Sequence, residues 1–471
     1  MHFGAERGPV LMPVALREAG LVALTTLVVF LLFTVSLRAG AAVPALILLP
    51  ALAGVLVVGG LVLLHACAGH RTATLCFLFV LVFVNDALFR VREPGDIGLD
   101  WQNALKLGLW GGAACIGVFR AAEYGHLFRR PAVVLAACYL GFGLLSCLYS
   151  ASPTYSFGTA FGMLSLLLLA AALGPLPERL VLLWFACSLA CFVLAGWVVY
   201  YAVPSLGRSP FITADGSLIE RICGLAGQAN ALGCVLAVYL GVVFLMWYRG
   251  HYGLLLVVPL GALGLFTLLA ADSRTALLAW LVGVAAVVAR RTLWLWGASL
   301  LAGTAGLTLI LLTPLRTLAG MSGGLSRSGD PTELFTLTGR TEIWAFVWDR
   351  IVLQPWFGYG YNSSKFILPL FLGLPGLTVD EAHNTWLQNL LGTGIIGTAP
   401  LVALMVVQLV LYVRSPDPFR DLFLFIVLVW GVTVAGAYGS TPTVMTLAVF
   451  ISLLRPDAAA LPPPRALTRS R

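Results

Sequence analysis

Long apolar runs, each closed by a short polar stretch, recur along the whole of this 471-residue chain. Runs of roughly 18–24 residues suffice to cross a hydrocarbon core about 30 Å thick. They predict helices near 18–37, 42–64, 73–89, 103–119, 131–149, 157–174, 180–202 and 228–247. Further helices are predicted near 252–271, 275–289, 292–313, 384–413, 419–437 and 440–454. That is about 14 spans, or about 12 if two of the weaker runs are re-entrant or lie in the interface. Period-two alternation, the signature of a barrel strand, is absent, so the expected fold is an all-α polytopic bundle. The first run has no convincing small-residue cleavage site and reads as a retained helix. With no solenoid-period repeat and no separate soluble stretch, residues 1–471 are expected to form one integral membrane domain.

One segment breaks the pattern. Residues Leu337–Leu391 read LTGRTEIWAFVWDRIVLQPWFGYGYNSS, then a hydrophobic tract, then TVDEAHNTWLQNLL. Ile343, Phe346, Val347, Arg350 and Ile351 follow helical spacing, Thr338 is placed to cap the helix, and Pro355 stops it. With Trp344, Trp348 and Trp356 nearby, this helix is expected in or near the membrane interface. Before it, SGGLSRSGDPTE is a Gly/Ser-rich linker; after it, 366–378 is too short and Pro-broken to span and suits a lid or an interfacial segment.

Composition agrees with a membrane solvent. Hydrophobic residues make up 60% of the chain and charged residues 10%, and the mean hydropathy is +0.97, which excludes a soluble globular protein. The formal charge of +8 does not point to nucleic acid, because the basic residues are scattered between apolar runs, where they set orientation. One set of loops holds Arg71, Arg120, Arg129, Arg130, Arg179, Arg249, Arg290, Arg291, Arg414 and Arg420, and the 456–471 tail joins them. The opposite loops carry most of the acids, including Asp215, Glu220, Asp272, Asp380 and Glu381. Both termini are therefore expected in the cytoplasm, with loops 203–223 and 315–383 outside, which in a bacterium is the periplasm. The nine cysteines lie mostly inside apolar runs without metal-ligand spacing and read as small buried hydrophobes.

Topology then isolates a few polar residues. His383 is the one histidine expected on the outer face, at the start of a helix. A helix N-terminus disfavours imidazolium, so a neutral general base near pH 7 fits, and a capping or interfacial histidine is the plain alternative. Arg274, between two apolar runs in Ser273-Arg274-Thr275, is costly so near hydrocarbon unless it is paired or lines a wet cavity. Asp272 is its candidate partner. Arg221 opens RICGLAGQANALG at the outer end of another helix, with Glu220 as a possible partner. The planar fork of arginine suits phosphate oxygens, so several outer-face arginines beside a bilayer suggest a phosphorylated lipid headgroup. Asp380-Glu381-Ala382-His383 spells a helicase-like DEAH, but the chain lacks a phosphate loop and the match is chance. The same side chains lack a recognisable metal-site pattern, and no metal or cofactor is expected.

Four motifs in this order resemble the O-antigen ligase and polymerase superfamily of bacterial envelope glycosyltransferases. They are RICGLAGQANALG (221–233), DSRTALLAW (272–280), LTGRTEIWAFVWDRIVLQPWFGYGYNS (337–363) and HNTWLQNLLGTGIIG (383–397). The resemblance implies a helical bundle related to lipid-dependent glycosyltransferases, with a periplasmic cavity in the inner membrane and no metal. It implies an undecaprenyl-pyrophosphate-linked O-antigen as donor and lipid A–core as acceptor. His383 matches the family's essential histidine in its HN motif, beside Asn384, and Arg221 and Arg274 match its essential arginines. Arg340, and below it Arg350, would help hold phosphate or core sugars, while Trp344, Tyr361 and Trp386 would stack on sugars or anchor the interface. Ligase is the first reading; an O-antigen polymerase or a protein O-oligosaccharyltransferase of the same superfamily is the alternative. A lipid-linked glycan transporter is more distant, because transporters usually place charges near the bilayer midplane and show paired repeats.

Overall fold

The computed structural model describes residues 71–90, 100–212, 218–290, 340–370, 379–435 and 438–454. The helices expected at 18–37, 42–64 and 292–313, the Gly/Ser-rich linker, Thr338 and most of the 366–378 tract lie outside the described residues. The chain divides into two units, Met1–Val80 and Leu81–Arg471. Of the first, only the opening of helix α1 (Arg71–Asn85) is described.

Within the second unit the expected helices form, with ends set by local chemistry. Helix α2 (Trp101–Phe119) is capped by Asp100, whose carboxylate accepts from the Asn103 N–H at 2.7 Å. Helices α3 (Pro131–Leu145) and α4 (Pro153–Leu173) each place proline in the first turn, where its missing N–H costs nothing. After α5 (Glu178–Ala202) come two strands, β1 (Arg208–Ile212) and β2 (Leu218–Ile222), paired antiparallel, with Ser209 opposite Arg221. Helix α6 (Ala229–Tyr248) is apolar all round and buried along most of its length, as a central helix must be. Helices α7 (Leu254–Ala270) and α8 (Arg274–Ala289) meet at a tight turn over Ala271–Ser273.

Helix α9 (Arg340–Leu353) buries Ile343, Val347 and Ile351 and stops two residues before Pro355, as its spacing predicts. Helix α10 (Thr385–Arg414) follows, then α11 (Pro418–Trp430), capped by Asp417, and α12 (Val444–Leu454). Among the described residues five helices are long and apolar enough to span a membrane, or six if the bent pair Trp101–Phe119 and Ala121–Arg129 is one span. Four shorter apolar helices accompany them. The chain is a polytopic helical membrane protein, and among the described residues its one sheet is the β1–β2 hairpin.

Three expectations need correcting. Arg221 sits on strand β2, not at the end of a helix, and α6 begins eight residues later. The last two helices are shorter than their apolar runs, because α11 ends at Trp430 and α12 starts only after Ser440-Thr441-Pro442-Thr443. Helix α10 is not continuous: Gly394 has φ +62° and breaks it. There the N–H groups of Ile395 and Ile396 donate to the carbonyls of Pro355 (2.8 Å) and Trp356 (3.2 Å). In return the carbonyls of Leu391 and Gly392 accept from Tyr359 (2.9 Å) and Gly360 (2.8 Å). The broken helix thus docks the GYGY turn by exchanging backbone hydrogen bonds with it.

A side chain at Gly394 would come within 2.4 Å of the Trp356 carbonyl, and left-handed backbone adds about 1–2 kcal/mol for any L-residue. Gly394→Ala is therefore expected to lower the thermal midpoint in detergent. An unchanged midpoint would show that the break tolerates continuous helix.

The bundle has two chemically distinct ends. Helices α8 and α11 run antiparallel: Gly283 of α8 packs on Leu422 and Ile426, and Arg290, just past α8, reaches Asp421 at 3.8 Å. At that end Arg249 pairs with Asp417 (2.9 Å) and Glu178 (3.4 Å), and Tyr252 donates to the Arg179 carbonyl at 3.1 Å. Arg120, Arg129, Arg130, Arg179, Arg249, Arg290, Arg414 and Arg420 all fall on its turns or helix ends. The opposite end gathers the hairpin, the Ala271–Ser273 turn, α9 and the start of α10.

Candidate functional site

Arg221 is buried, and its guanidinium serves the α7–α8 turn. Its Nε donates to the Ala271 carbonyl at 2.9 Å, and its Nη2 donates to the Asp272 carbonyl at 3.2 Å and to Asn230 Oδ1 at 3.4 Å. A cation at the carbonyl end of α7 is favoured by the helix dipole and satisfies acceptors that the helix cannot. Glu220 is not its partner; that carboxylate pairs with Arg208 across the hairpin at 2.5 Å. Asp272 has φ +45° and turns the chain so that Arg274 opens α8. Arg274 lies 3.5 Å from Asp272 and is about half exposed, so its charge faces outward from a fixed base. Gly233 on α6 makes this possible: a Cβ there would meet Ser273 Oγ at 2.3 Å. The Gly/Ala/Asn run after Arg221 thus admits a close approach, as does Gly224, whose φ of +52° sets it against Gly196.

His383 belongs to a second group. It precedes the Asn384 cap of α10 and has φ +48°, a left-handed conformation costing a non-glycine residue about 1–2 kcal/mol. Its neighbours hold it there. Ala382 is fully buried in an apolar cluster with Ile343, Val347, Ile351, Leu368, Val379 and Leu391. The Trp344 indole N–H donates to the Ala382 carbonyl at 2.9 Å, and the Ala382 N–H donates to Gln388 Oε1 at 3.0 Å. Asn384 is occupied by capping: Oδ1 accepts from Trp386 N–H (2.9 Å) and Leu387 N–H (3.1 Å), and Nδ2 donates to the Val432 carbonyl at 3.1 Å.

Burial, and then the nearby Arg340 charge, push the His383 imidazole below the ordinary histidine value, with Asp380 opposing them. The neutral ring is therefore favoured, but by burial and Arg340 more than by the helix start invoked from sequence. Removing the Arg340 charge makes imidazolium less unfavourable, so Arg340→Gln raises this pKa. If His383 is the base, the acid limb of kcat/KM then moves to higher pH; an unmoved limb would separate Arg340 from His383. Glu381 is pushed up by burial and Asp380, against Lys365, which lies 3.9 Å from Asp380.

The two groups share one end of the bundle. The Thr385 N–H donates to the Gly431 carbonyl at 2.8 Å, just past the end of α11. Because α8 runs antiparallel to α11, that is also the end at which Arg274 opens α8. Other expected site residues are engaged differently. Arg350 lies over the Phe346 ring at 4.8 Å, and its carbonyl accepts from the Tyr359 hydroxyl at 3.1 Å. Tyr361 is not placed to stack on sugar: it is fully buried, and its hydroxyl donates to the Gly439 carbonyl at 2.5 Å. Gln388 and the indole donor of Trp344 escaped sequence reasoning, since nothing in spacing says which buried glutamine reaches back to a backbone amide.

No curated protein matches this chain. The family model described as O-antigen ligase matches residues 259–402, a span that includes Arg274, Arg340, Arg350, His383 and Asn384 but not Arg221. On that match, and with a multi-pass helical fold, the chain resembles the O-antigen ligase and polymerase superfamily.

Proposed function

We propose that this chain is an O-antigen ligase. It would transfer O-antigen polysaccharide from undecaprenyl pyrophosphate to a sugar hydroxyl of lipid A–core at the periplasmic face of the inner membrane. The observation that carries this reading is the pairing of two groups at one end of the bundle. One is a histidine kept neutral and presented on a braced left-handed backbone; the other is the outward Arg274 set on Arg221.

In this reading His383 takes the proton of the acceptor hydroxyl as its oxygen bonds to the anomeric carbon. The bond from that carbon to the pyrophosphate oxygen breaks in line, with inversion, and the pyrophosphate leaves with the electron pair. Fixed donors at the developing charge lower the barrier, and Arg274 is the exposed cation positioned for that task. Arg221 acts from behind by anchoring the turn, and Arg340 serves both as a phosphate contact and, after burial, as a charge that favours the neutral form of His383. Orientation follows from the arginine-rich opposite end, which suits the cytoplasm.

The family match is shared by polymerases, so the acceptor decides between the two. A deletion strain examined on a lipopolysaccharide gel is the test. Rough core with accumulated polymeric carrier-linked glycan is the result expected of a ligase. A single-repeat band would instead make it a polymerase, and an intact ladder with unglycosylated pilin would make it a protein transferase.

A further inference from the structure

Gln388 lies one turn into α10 and is buried, and both ends of its amide are hydrogen-bonded. Oε1 accepts from the Ala382 N–H at 3.0 Å, while Nε2 donates to Asn362 Oδ1 at 3.2 Å and to Ser364 Oγ at 2.5 Å. Because a backbone N–H can only donate, the orientation of the Gln388 amide is fixed. One side chain thus ties α10 to the turn after GYGY, where Asn362 is itself left-handed at φ +53°, and to the Glu381–Ala382 peptide, one residue before His383. On the other side of Ala382, the Trp344 indole holds the carbonyl. Both peptide groups flanking Ala382 are pinned, and a strained residue persists only where its surroundings over-determine it.

Resting on the reading of His383 as the base, we propose that Gln388 is its positioning residue, with the Trp344 indole as counterpart. Gln388 touches no reacting atom; it sets where the imidazole stands. Misplacing a catalytic group by about 1 Å costs on the order of 100-fold in rate.

The test uses the full-length protein in proteoliposomes, with a polyprenyl-pyrophosphate-linked glycan as donor and purified rough-core lipopolysaccharide as acceptor. Gln388→Met keeps the length and removes the hydrogen bonds, and kcat is expected to fall about 100-fold with the donor KM unchanged. Gln388→Glu keeps an acceptor for the Ala382 N–H. Ser364 and a flipped Asn362 amide, whose Nδ2 has no partner in the wild-type arrangement, supply donors to the second oxygen, so most of the rate returns. Full kcat in Gln388→Met beside an inactive His383→Asn would remove this inference and leave the base reading standing. Wild-type rate in His383→Asn would remove the base reading itself. Should Gln388→Met fail to insert, Trp344→Phe deletes just the indole donor. A drop in kcat at constant donor KM supports the proposal there, and wild-type kcat overturns it.

Discussion

His383→Asn is expected to abolish glycan transfer while leaving a folded, inserted protein. Asparagine is the informative replacement because, apart from glycine, it is among the residues that best tolerate left-handed backbone, and position 383 has φ +48°. Alanine would confound loss of the base with strain at that turn. Removing a general base costs roughly 100- to 10,000-fold, which on a slow membrane transferase reads as no product. The measurement is single-turnover transfer in proteoliposomes together with the thermal midpoint in detergent. Transfer within about 10-fold of wild type, at an unchanged midpoint, falls below that range and would sink the assignment.

Arg221→Ala and Arg274→Ala are expected to fail in different ways, although sequence alone put the two arginines in one role. Arg221 is buried and donates to the carbonyls of Ala271 and Asp272, so its loss strands buried acceptors at about 1–3 kcal/mol each. Arg221→Ala is therefore expected to lower both the thermal midpoint and the amount of folded protein, with activity following. Arg221→Lys does not rescue, because one ammonium cannot reproduce the fork that spans both carbonyls. Arg274 is half exposed, 3.5 Å from Asp272, so Arg274→Ala is expected to keep the fold and raise the donor KM. Donor titration by transfer rate, paired with thermal melts, separates the two. A wild-type midpoint in Arg221→Ala would dismiss its anchoring role, and an unchanged donor KM in Arg274→Ala would dismiss the pyrophosphate contact.

Much of the fold was legible because its signals are local. Apolar run length marks a membrane helix without reference to neighbours, and most of the helices expected between 73 and 454 formed close to the expected bounds where residues are described. The α9 spacing of Ile343, Val347 and Ile351 and its stop before Pro355 are also local, and both hold. Local signals failed where a distant backbone supplied the partner. Gly394 reads as one more glycine in LLGTGIIG, yet the Pro355 and Trp356 carbonyls turn it into a helix break. Arg221 read as a helix-end residue because the five-residue strands of its hairpin are too short to announce themselves.

The sequence by itself determined that this is a multi-pass helical protein, and it picked out Arg221, Arg274, Arg340 and His383 as polar residues that an apolar chain must account for. Cost is the physical reason: a charge beside hydrocarbon demands an explanation wherever it sits. Tertiary structure alone decided which of them faces outward, which is spent inside, and what braces the histidine. Gln388 and Trp344 reach Ala382 from 6 and 38 residues away, and Arg221 reaches Ala271 across 50. Hydrogen-bond geometry at such separations follows from packing, and no spacing rule along the chain encodes it.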